Sequence, residues 1–411
     1  MEIVEVELKN FVYGGDVMGR LPDGRAIFIP YGLPGERVRA RIVEEKRGYV
    51  RAALEEVLTP SPERIQPRCI HFGVCGGCHL QQIDYQRQTQ VKSSVLAEQL
   101  VRIAGITEPP MRPMVPSPDP WHYRNSVQFH ITPDGKLGYL RAGSHEIIPI
   151  QECHLMQGAL NDVWPQLVFE PGSGIQQAEL RLGMDDDMLV ALESADSQPP
   201  EFEIDLPLSA VHISKAGLVV LAGDDHTFIE VLGRIFHVSA ESFFQVNTAM
   251  AEAMVSHLLE ILPVPPNATV MDVYSGAGLF SAFLAPRASR LIAIELSPSA
   301  CQDFAINLDE FEHVELYEGA AEDILPELKV QVDAVVVDPP RSGLERTALD
   351  ALIRLGAPAV AYVSCDAATL ARDARRLIAA GYHLNQVTPF DLFPQTYAVE
   401  SICLFTKLNN E

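Results

Sequence analysis

The sequence of 411 residues contains no hydrophobic run that approaches the ~20 residues a membrane-spanning helix needs. Its first residues, MEIVEVELKNFVYGG, contain neither the basic stretch nor the apolar stretch of a secretory signal peptide. Low-complexity segments and internal repeats are also absent, and an apolar content of 47% excludes a wholly disordered chain. These absences predict a globular protein of the cytoplasm that has no membrane partner.

Basic residues are scarce, because 31 Lys and Arg stand against 55 Asp and Glu and the net charge is −24. Such a balance argues at first sight against a protein that binds nucleic acid. The acidic excess is local, however, since residues 161–330 contain 28 acidic and only 6 basic side chains. Residues 1–70 contain 11 of each. A polyanion can therefore still bind the neutral N-terminal part of the chain.

Residues 1–58 are predicted to form several short strands separated by glycine-containing turns, a pattern typical of a small β-barrel. Arg37, Arg39 and Arg41 alternate along one of these strands, so their side chains share one face. This alternation fits a solvated outer face, and it also fits phosphate contacts made by an OB-like barrel.

The rest of the chain divides into two parts of different character. Residues 59–237 begin with loops and a predicted helix over 85–104, and continue mostly as strands and turns. Residues 238–411 alternate apolar strands with helices, which indicates a doubly wound α/β sheet. We therefore predict a multidomain chain with a barrel over 1–58, a mixed central domain and a C-terminal α/β domain. The helix over 85–104 is a candidate to pack on the last of these.

Seven cysteines, an odd number, argue against a disulfide framework in a cytoplasmic protein. Cys69, Cys75 and Cys78 form a C-x5-C-G-G-C segment, and Cys153 follows at a distance. The two glycines can present N–H groups to sulfur atoms. Zinc sites with four cysteines usually pair two C-x2–4-C units, so this spacing favours a [4Fe–4S] cluster over zinc. It is not the C-x3-C-x2-C pattern of radical enzymes.

Acidic residues follow the predicted strands of the C-terminal part. The strand ATVMDVY leads into SGAGLF, where Gly276 and Gly278 allow a tight turn and a close ligand approach. Asp272, Glu295 and Asp338 each lie at a strand end, where open α/β sheets bind ligands. The pattern predicts a nucleoside-bearing cofactor, and both NAD and S-adenosylmethionine fit it.

Cys365 directly follows the apolar strand AVAYV and precedes a predicted helix over 367–380. Because a helix N-terminus lowers the pKa of a thiol, we expect a thiolate nucleophile here. Glu400 precedes the last strand and is a candidate base beside it. Cys301 and Cys403 lie in a helix and a strand pattern and are interpreted as small buried hydrophobes.

Taken together, these motifs resemble the RNA (uracil-5-)-methyltransferase family over essentially the whole chain. The segments that carry the resemblance are the cysteine segment, SFFQVN, DVYSGAGLF, DPPR, SCDAATLARD and AVESICLF. The resemblance implies an N-terminal TRAM domain, an iron–sulfur-bearing central domain and a C-terminal Rossmann-like methyltransferase domain. Asp366-Ala367 stands where the family usually has Asn-Pro, and Leu279 where it often has a polar residue.

The resemblance also implies roles for individual residues. The thiolate of Cys365 would add to carbon 6 of uracil, and Glu400 would remove the proton from carbon 5. The residues implied to bind S-adenosylmethionine are Gln245, Tyr274, Gly276, Gly278, Glu295 and Asp338. The cluster ligands implied are Cys69, Cys75, Cys78 and Cys153, and the RNA contacts considered are Phe243, Arg124 and Tyr123.

The expected activity is therefore methylation of carbon 5 of a specific uridine in RNA. 23S rRNA is the favoured substrate and tRNA the second, because tRNA members of the family in many bacteria lack the barrel and the cluster. Two other classes stay open: an RNA-binding protein with an inactive methyltransferase domain, and an iron–sulfur oxidoreductase with a Rossmann domain. The sequence does not indicate which uridine is modified or the oligomeric state.

Overall fold

A computed structural model describes residues 2–200 and 206–407. The N-terminal part is a closed barrel of five strands in the order β1-β2-β3-β5-β4. Its interior is filled by alternating apolar side chains such as Leu8, Val17 and Ile27. The predicted barrel is thus confirmed. Its strands are β1 (Ile3–Phe11), β2 (Val17–Arg20), β3 (Ala26–Ile29), β4 (Arg37–Glu45) and β5 (Tyr49–Thr59).

The arginines of strand β4 are paired with carboxylates of neighbouring strands. Arg37 donates to Glu5 at 2.7 Å, and Arg39 reaches the same carboxylate at 3.3 Å. Arg41 donates to Glu55 at 2.9 Å. These cross-strand ion pairs favour the interpretation of this face as a solvated, charge-balanced outer surface over that of a phosphate-binding strip.

A long helix connects the barrel to the rest of the molecule. Helix α1 (Tyr85–Gln99) is capped by Asp84, whose side chain accepts from the N–H of Arg87 at 3.0 Å. A π-helical turn over Leu100–Ala104 continues it and ends at a left-handed glycine. Leu96 and Leu100 are buried in the apolar cluster of the C-terminal sheet, so this helix packs on the C-terminal domain.

The central part contains a seven-stranded sheet in the order β12-β11-β10-β9-β6-β7-β8. One face packs on Trp164 and the short helix α2 (Gly158–Val163). Two strands of the sheet form a hairpin, with a left-handed Gly135 at the turn. The strands are β6 (Ser126–Ile131), β7 (Leu137–Leu140), β8 (Ile147–Pro149), β9 (Ile175–Leu182), β10 (Met188–Ser194), β11 (Ser209–Ser214) and β12 (Gly217–Ala222).

The C-terminal part contains a second seven-stranded sheet in the order β17-β16-β15-β18-β19-β21-β20. Its first five strands are parallel, and β21 runs antiparallel between β19 and β20. The strands are β15 (Thr269–Val273), β16 (Arg290–Glu295), β17 (Val314–Glu318), β18 (Ala334–Val337), β19 (Ala359–Ser364), β20 (Tyr382–Phe390) and β21 (Glu400–Lys407). A separate hairpin of β13 (His226–Val231) and β14 (Arg234–Ser239) packs into the same core.

Helices cover both faces of this sheet, and each face has its own apolar cluster. The expected doubly wound architecture is thereby confirmed. The helices are α3 (Thr248–Ile261), α4 (Leu279–Leu284), α5 (Pro298–Asn307), α6 (Ala321–Ile324), α7 (Arg346–Leu355) and α8 (Ala367–Ala379). Among the described residues, no helix has the length and apolar character required to cross a membrane.

Candidate active site and cofactor cleft

The loop after β15 is shaped by three residues with positive φ. Tyr274 has a φ of 66°, Gly276 of 54° and Gly278 of 92°. A Cβ at Gly278 would lie 2.5 Å from the side chain of Leu308, so only glycine fits there. The N–H of Tyr274 donates to the carbonyl of Ile294 at 2.9 Å, which ties the loop to the neighbouring strand. The three positive φ angles and this hydrogen bond therefore fix the conformation of the loop at the carboxyl end of the sheet.

Glu295, at the end of β16, holds this loop in place with its carboxylate. One oxygen accepts from the N–H of Gly276 at 2.8 Å. The other accepts from the N–H groups of Leu296 and Ser297 at 2.8 and 2.7 Å. The predicted ribose-binding acid is therefore fixed by backbone groups at the mouth of the loop, immediately before helix α5.

Two further acids lie on the neighbouring strands. Asp272 is buried, and burial raises its pKa to about 6. Ser281 donates to one of its oxygens at 2.6 Å, and the other oxygen has no partner among the described residues. Burial also raises the pKa of Asp338, after β18, to about 7, and Asp272 contributes to that rise. The structure brings these strand-end acids to one edge, as the sequence predicts.

The side chain of Gln245 is half-buried in the segment that leads into α3. The backbone carbonyl of Gln245 accepts from the side-chain amide of Asn125 at 3.1 Å. Two residues further on, Asn247 caps the helix by accepting from the N–H of Met250 at 3.3 Å. The segment that contains Gln245 is thereby tied both to the central sheet and to the methyltransferase-like half.

Cys365 and Glu400 are brought together by the pairing of β19 with β21. The last pair in this antiparallel ladder is Ser364 with Ser401. One residue further along the same register, Cys365 lies opposite Glu400. Asp366 then caps helix α8 by accepting from the N–H groups of Ala368 and Thr369. Residues 35 positions apart in the sequence thus meet at the edge where Asp338 ends β18.

The thiol of Cys365 does not have the lowered pKa that its helix position predicts. Burial raises the pKa to about 12, and the nearby carboxyl groups of Glu400 and Asp338 raise it further, while Arg341 opposes them. The expectation of a thiolate in the free protein is therefore wrong. Desolvation of the charged sulfur outweighs the favourable helix terminus.

Glu400 is 7% exposed, and burial raises its pKa to about 8, with a further contribution from Asp338. Arg341 lowers the pKa of this carboxyl as well as that of Cys365. Arg341 was not among the predicted site residues. The signal that could have identified it is its place directly after Asp338-Pro339-Pro340 at a strand end.

A cavity of about 340 Å³ lies in front of Cys365. Its walls come from separate parts of the chain, including barrel residues 11–15, Gly76 and Gly77 of the cysteine segment, and Lys92 of α1. Sequence reasoning did not associate the barrel loop or α1 with this site. The volume lies within the range of small-molecule pockets, so the cavity can admit one planar base.

The chain has extensive similarity to known proteins. The family model described as tRNA (Uracil-5-)-methyltransferase matches residues 224–408, and the TRAM domain model matches residues 2–54. An uncharacterized RNA methyltransferase of Streptomyces avermitilis is 32% identical, with 98% of each chain covered. One of Halalkalibacterium halodurans is 31% identical, covering 99% of this chain and 98% of the relative.

The chain belongs to the RNA (uracil-5-)-methyltransferase family. It is therefore an S-adenosylmethionine-dependent RNA methyltransferase with an N-terminal TRAM domain. The solved tRNA (uracil-54, C5)-methyltransferase of Pyrococcus abyssi, in complex with S-adenosyl-L-homocysteine, has the same fold. The TM-score is 0.76 at 24% identity, with 98% of this chain and 99% of that chain covered.

The four predicted cluster cysteines of this methyltransferase, Cys69, Cys75, Cys78 and Cys153, line one cavity of about 1040 Å³. They are free and half-buried, and burial raises the pKa of Cys78 to about 12. The N–H of Gly77 donates to the sulfur of Cys75 at 3.4 Å. Within residues 2–200 and 206–407, no group of three or more Cys, His, Asp or Glu is arranged to hold a single metal ion.

The three predicted RNA contacts differ in their surroundings. Phe243 is 71% exposed and free to stack. Arg124 is half-buried between the two cavities, and its Nε has no hydrogen-bond partner among the described residues. Tyr123 is only 5% exposed, and its hydroxyl donates to the carbonyl of Pro394 at 3.1 Å. An RNA contact by Tyr123 is therefore wrong, because its ring belongs to the core.

Proposed function

We propose that this methyltransferase modifies carbon 5 of a uridine in 23S rRNA through a covalent adduct with Cys365 that Glu400 resolves. The observation that carries the proposal is that the register of β19 and β21, continued by one residue, brings Glu400 opposite Cys365, and that Cys365 lines a base-sized cavity. A nucleophile and a base that face each other suit a reaction that needs both at adjacent carbons of one ring.

Cys365 acts first by forming a bond between its sulfur and carbon 6 of the uracil. The electron pair of the 5,6 double bond shifts onto carbon 5 and the oxygen on carbon 4 as an enolate, so carbon 5 becomes nucleophilic. S-adenosylmethionine supplies the methyl group that carbon 5 accepts. Glu400 then takes the proton from carbon 5, the double bond forms again, and the bond from carbon 6 to sulfur breaks.

The protonation states of Cys365 and Glu400 in the free protein determine which proton transfers the reaction requires. Cys365, with a pKa of about 12, begins as a thiol, must release its proton to water when its sulfur adds, and regains a proton when the sulfur leaves carbon 6. Glu400, with a pKa of about 8, must be deprotonated when it acts as the base. Arg341 favours the charged form of both, and is therefore proposed to stabilise each charge as it develops.

The cleft after β15 is proposed to bind S-adenosylmethionine. The loop with Gly276 and Gly278 leaves room for a ligand. Such a ligand could donate hydrogen bonds to the carboxylate of Glu295 beside the loop and to the unpartnered oxygen of buried Asp272. The proposed binding residues are Gln245, Tyr274, Gly276, Gly278, Glu295 and Asp338.

We further propose that Cys69, Cys75, Cys78 and Cys153 bind a [4Fe–4S] cluster. Their shared cavity and the N–H of Gly77 directed at a sulfur support this. A zinc ion would need all four sulfurs about 2.3 Å from one point, an arrangement that the described residues do not have. When bound, such a cluster would cross-link the cysteine segment to Cys153, and no reaction step is assigned to it.

The choice of RNA rests on the barrel and the four cysteines, which favour 23S rRNA. The Pyrococcus abyssi enzyme, which covers 98% of this chain, is named for uridine 54 of tRNA, so tRNA is the second candidate. A cytoplasmic location and the domain limits 1–58, 59–237 and 238–411 also belong to this proposal.

The decisive experiment mixes the protein, S-adenosylmethionine and RNA transcripts that contain 5-fluorouracil. Fluorine cannot leave as a proton, so we expect a covalent protein–RNA band on a denaturing gel with 23S rRNA. The band should be absent in Cys365→Ala and present in Cys403→Ala, a cysteine of β21 that is buried in the apolar core and does not line the cavity. A band only with tRNA would move the substrate to tRNA. No band with either RNA would favour the inactive RNA-binding or the oxidoreductase alternative.

The cluster has its own test on protein purified without oxygen. We expect iron and acid-labile sulfide in equal amounts, with visible absorbance that Cys75→Ser abolishes and Cys301→Ser retains. Stoichiometric zinc without iron would establish the zinc alternative instead.

A further inference from the structure

The segment 391–399, which we call the strap, connects β20 to β21 and leads directly into Glu400. At its centre, Gln395 has a φ of 70°, in the left-handed region that side chains other than glycine rarely adopt. Such a backbone persists only where its surroundings hold it, and these residues concentrate at functional sites. The contacts of Gln395 therefore indicate what the strap is held by.

The side chain of Gln395 is paired with Gln88 of helix α1. The amide nitrogen of Gln88 donates to the side-chain oxygen of Gln395 at 2.9 Å, and the backbone N–H of Gln395 donates back to Gln88 at 3.0 Å. Both side chains are buried, at 1% and 2% exposure. A buried reciprocal pair of this kind is costly to break, because each loss leaves an unpaired polar group.

The backbone of Gln395 is held by the cysteine segment. Its carbonyl accepts from the N–H groups of His79 and Leu80 at 2.8 and 3.0 Å, directly after Cys78. Its side-chain nitrogen donates to the carbonyl of Pro120 at 3.3 Å. Within the described residues, the hydrogen bonds of Gln395 thus all reach the N-terminal half of the chain and none stays in its own sheet.

The strap has a second anchor at its start. The ammonium of Lys92, also on α1, contacts Asp391 at 2.6 Å and donates to the carbonyl of Phe393 at 2.9 Å. Both charged groups of this pair are buried. The two anchors fix the start and the centre of a segment whose next residue is Glu400.

We propose that Gln395 is a positioning residue, which sets the carboxyl of Glu400 opposite Cys365 by tying the strap to α1 and the cysteine segment. This inference rests on the proposed function, and it assigns to the N-terminal half a role in the last chemical step. Addition of Cys365 to the base does not need Glu400, whereas removal of the carbon 5 proton does. Loosening the strap should therefore slow release of the adduct more than its formation.

The test uses the full-length protein with three single variants. Gln395→Gly removes the side-chain anchor but suits the left-handed backbone, so the chain should still fold. Gln88→Glu keeps an acceptor for the N–H of Gln395. It loses the amide donor to the side chain of Gln395, and this donor also reaches the carbonyls of Leu80 and Ile83. Gln90→Ala changes an exposed glutamine on the same helix and is the matched control. Binding of S-adenosylmethionine, measured by calorimetry, should be the same in all of them.

Two rates separate the steps. The rate of band formation with 5-fluorouracil RNA reports the steps before proton removal, and we expect it to change less than about threefold. Turnover on unmodified RNA should fall by at least about tenfold in Gln395→Gly, less in Gln88→Glu, and not in Gln90→Ala. A covalent complex with unmodified RNA should accumulate in the first two.

The results that overturn the inference are distinct from those that overturn the proposed function. Equal slowing of both rates, or no change in either, shows that Gln395 has only a general structural role or none. If the wild-type protein forms no band with 5-fluorouracil RNA, the covalent route itself is wrong and the inference falls with it.

Discussion

The hydroxyl of Tyr13, in the turn between the first two barrel strands, donates a hydrogen bond to Asp366, the residue after Cys365. One carboxylate oxygen of Asp366 binds this phenol, while the other caps helix α8. The same turn packs on Tyr397. A Cβ atom placed on Gly15 would lie 3.0 Å from the Cβ atom of Tyr397. The TRAM barrel thus contacts the residue that follows Cys365, at a position where the family usually has Asn.

Tyr13→Phe should keep the ring and remove only this hydrogen bond. We expect kcat/KM for RNA to fall about twofold to tenfold, the equivalent of one hydrogen bond, with unchanged affinity for S-adenosylmethionine. The measurement is steady-state methylation at varied RNA concentration. Tyr49→Phe, in a barrel strand away from the cavity, is the control, and an equal loss in both variants would contradict a specific role for the contact.

Glu400→Gln should separate bond formation from release. Because the variant can still add Cys365 to the base but cannot accept the carbon 5 proton, we expect a covalent complex with unmodified RNA. Turnover should fall about 10²–10⁴-fold, the range for loss of a general base. A denaturing gel followed over time measures both. Absence of the complex, at normal cofactor affinity, would show that another group is the base.

The same substitution should change how stability depends on pH. The pKa of Glu400 is raised from its usual 4.5 to about 8, so between these values the folded chain retains a proton that the unfolded chain releases. Its contribution to stability is therefore fully present below about pH 4.5 and is lost as the pH rises towards 8. We expect Glu400→Gln to exceed the wild type in stability by a margin that grows over this window. Urea unfolding at a series of pH values tests this, and a constant difference would contradict it.

Lys92→Met should destabilise the protein by about 3–5 kcal/mol, because it leaves Asp391 as an uncompensated buried charge. One oxygen of Asp391 already has no partner among the described residues. Adding Asp391→Asn to that variant should recover part of the loss. Urea unfolding of the single and double variants provides the measurement. A loss under 1 kcal/mol in the single variant would mean that water reaches the pair.

Much of the catalytic domain could be predicted because its signals are local. The helix predicted over 367–380 is α8 (Ala367–Ala379). Alternation of strands and helices forces parallel strands, whose carboxyl ends share one edge. The glycine loop, the strand-end acids and Cys365 were therefore placed correctly at that edge from spacing alone.

Two predictions, the lowered pKa of Cys365 and the RNA contact of Tyr123, were wrong because each depends on how deeply the side chain is buried. The pattern around Cys365 indicates a helix N-terminus, but the raised pKa follows from burial beside Glu400 and Asp338. The position of Tyr123 beside Arg124 suggested stacking on RNA, whereas packing places its ring in the core. The residues next to a position in the sequence do not determine its burial or desolvation, because both depend on segments from other parts of the chain that pack against it.

The sequence by itself determined the family, the order of strands and helices and the residues at the carboxyl edge of the C-terminal sheet. Only the tertiary structure decided which distant segments complete that edge. Tyr13 meets Asp366 across 353 positions, and Gln88 meets Gln395 across 307. The physical reason is that the hydrophobic periodicity of the sequence indicates which face of a helix or strand is buried. Which other element packs against that face depends on the packing of the whole chain.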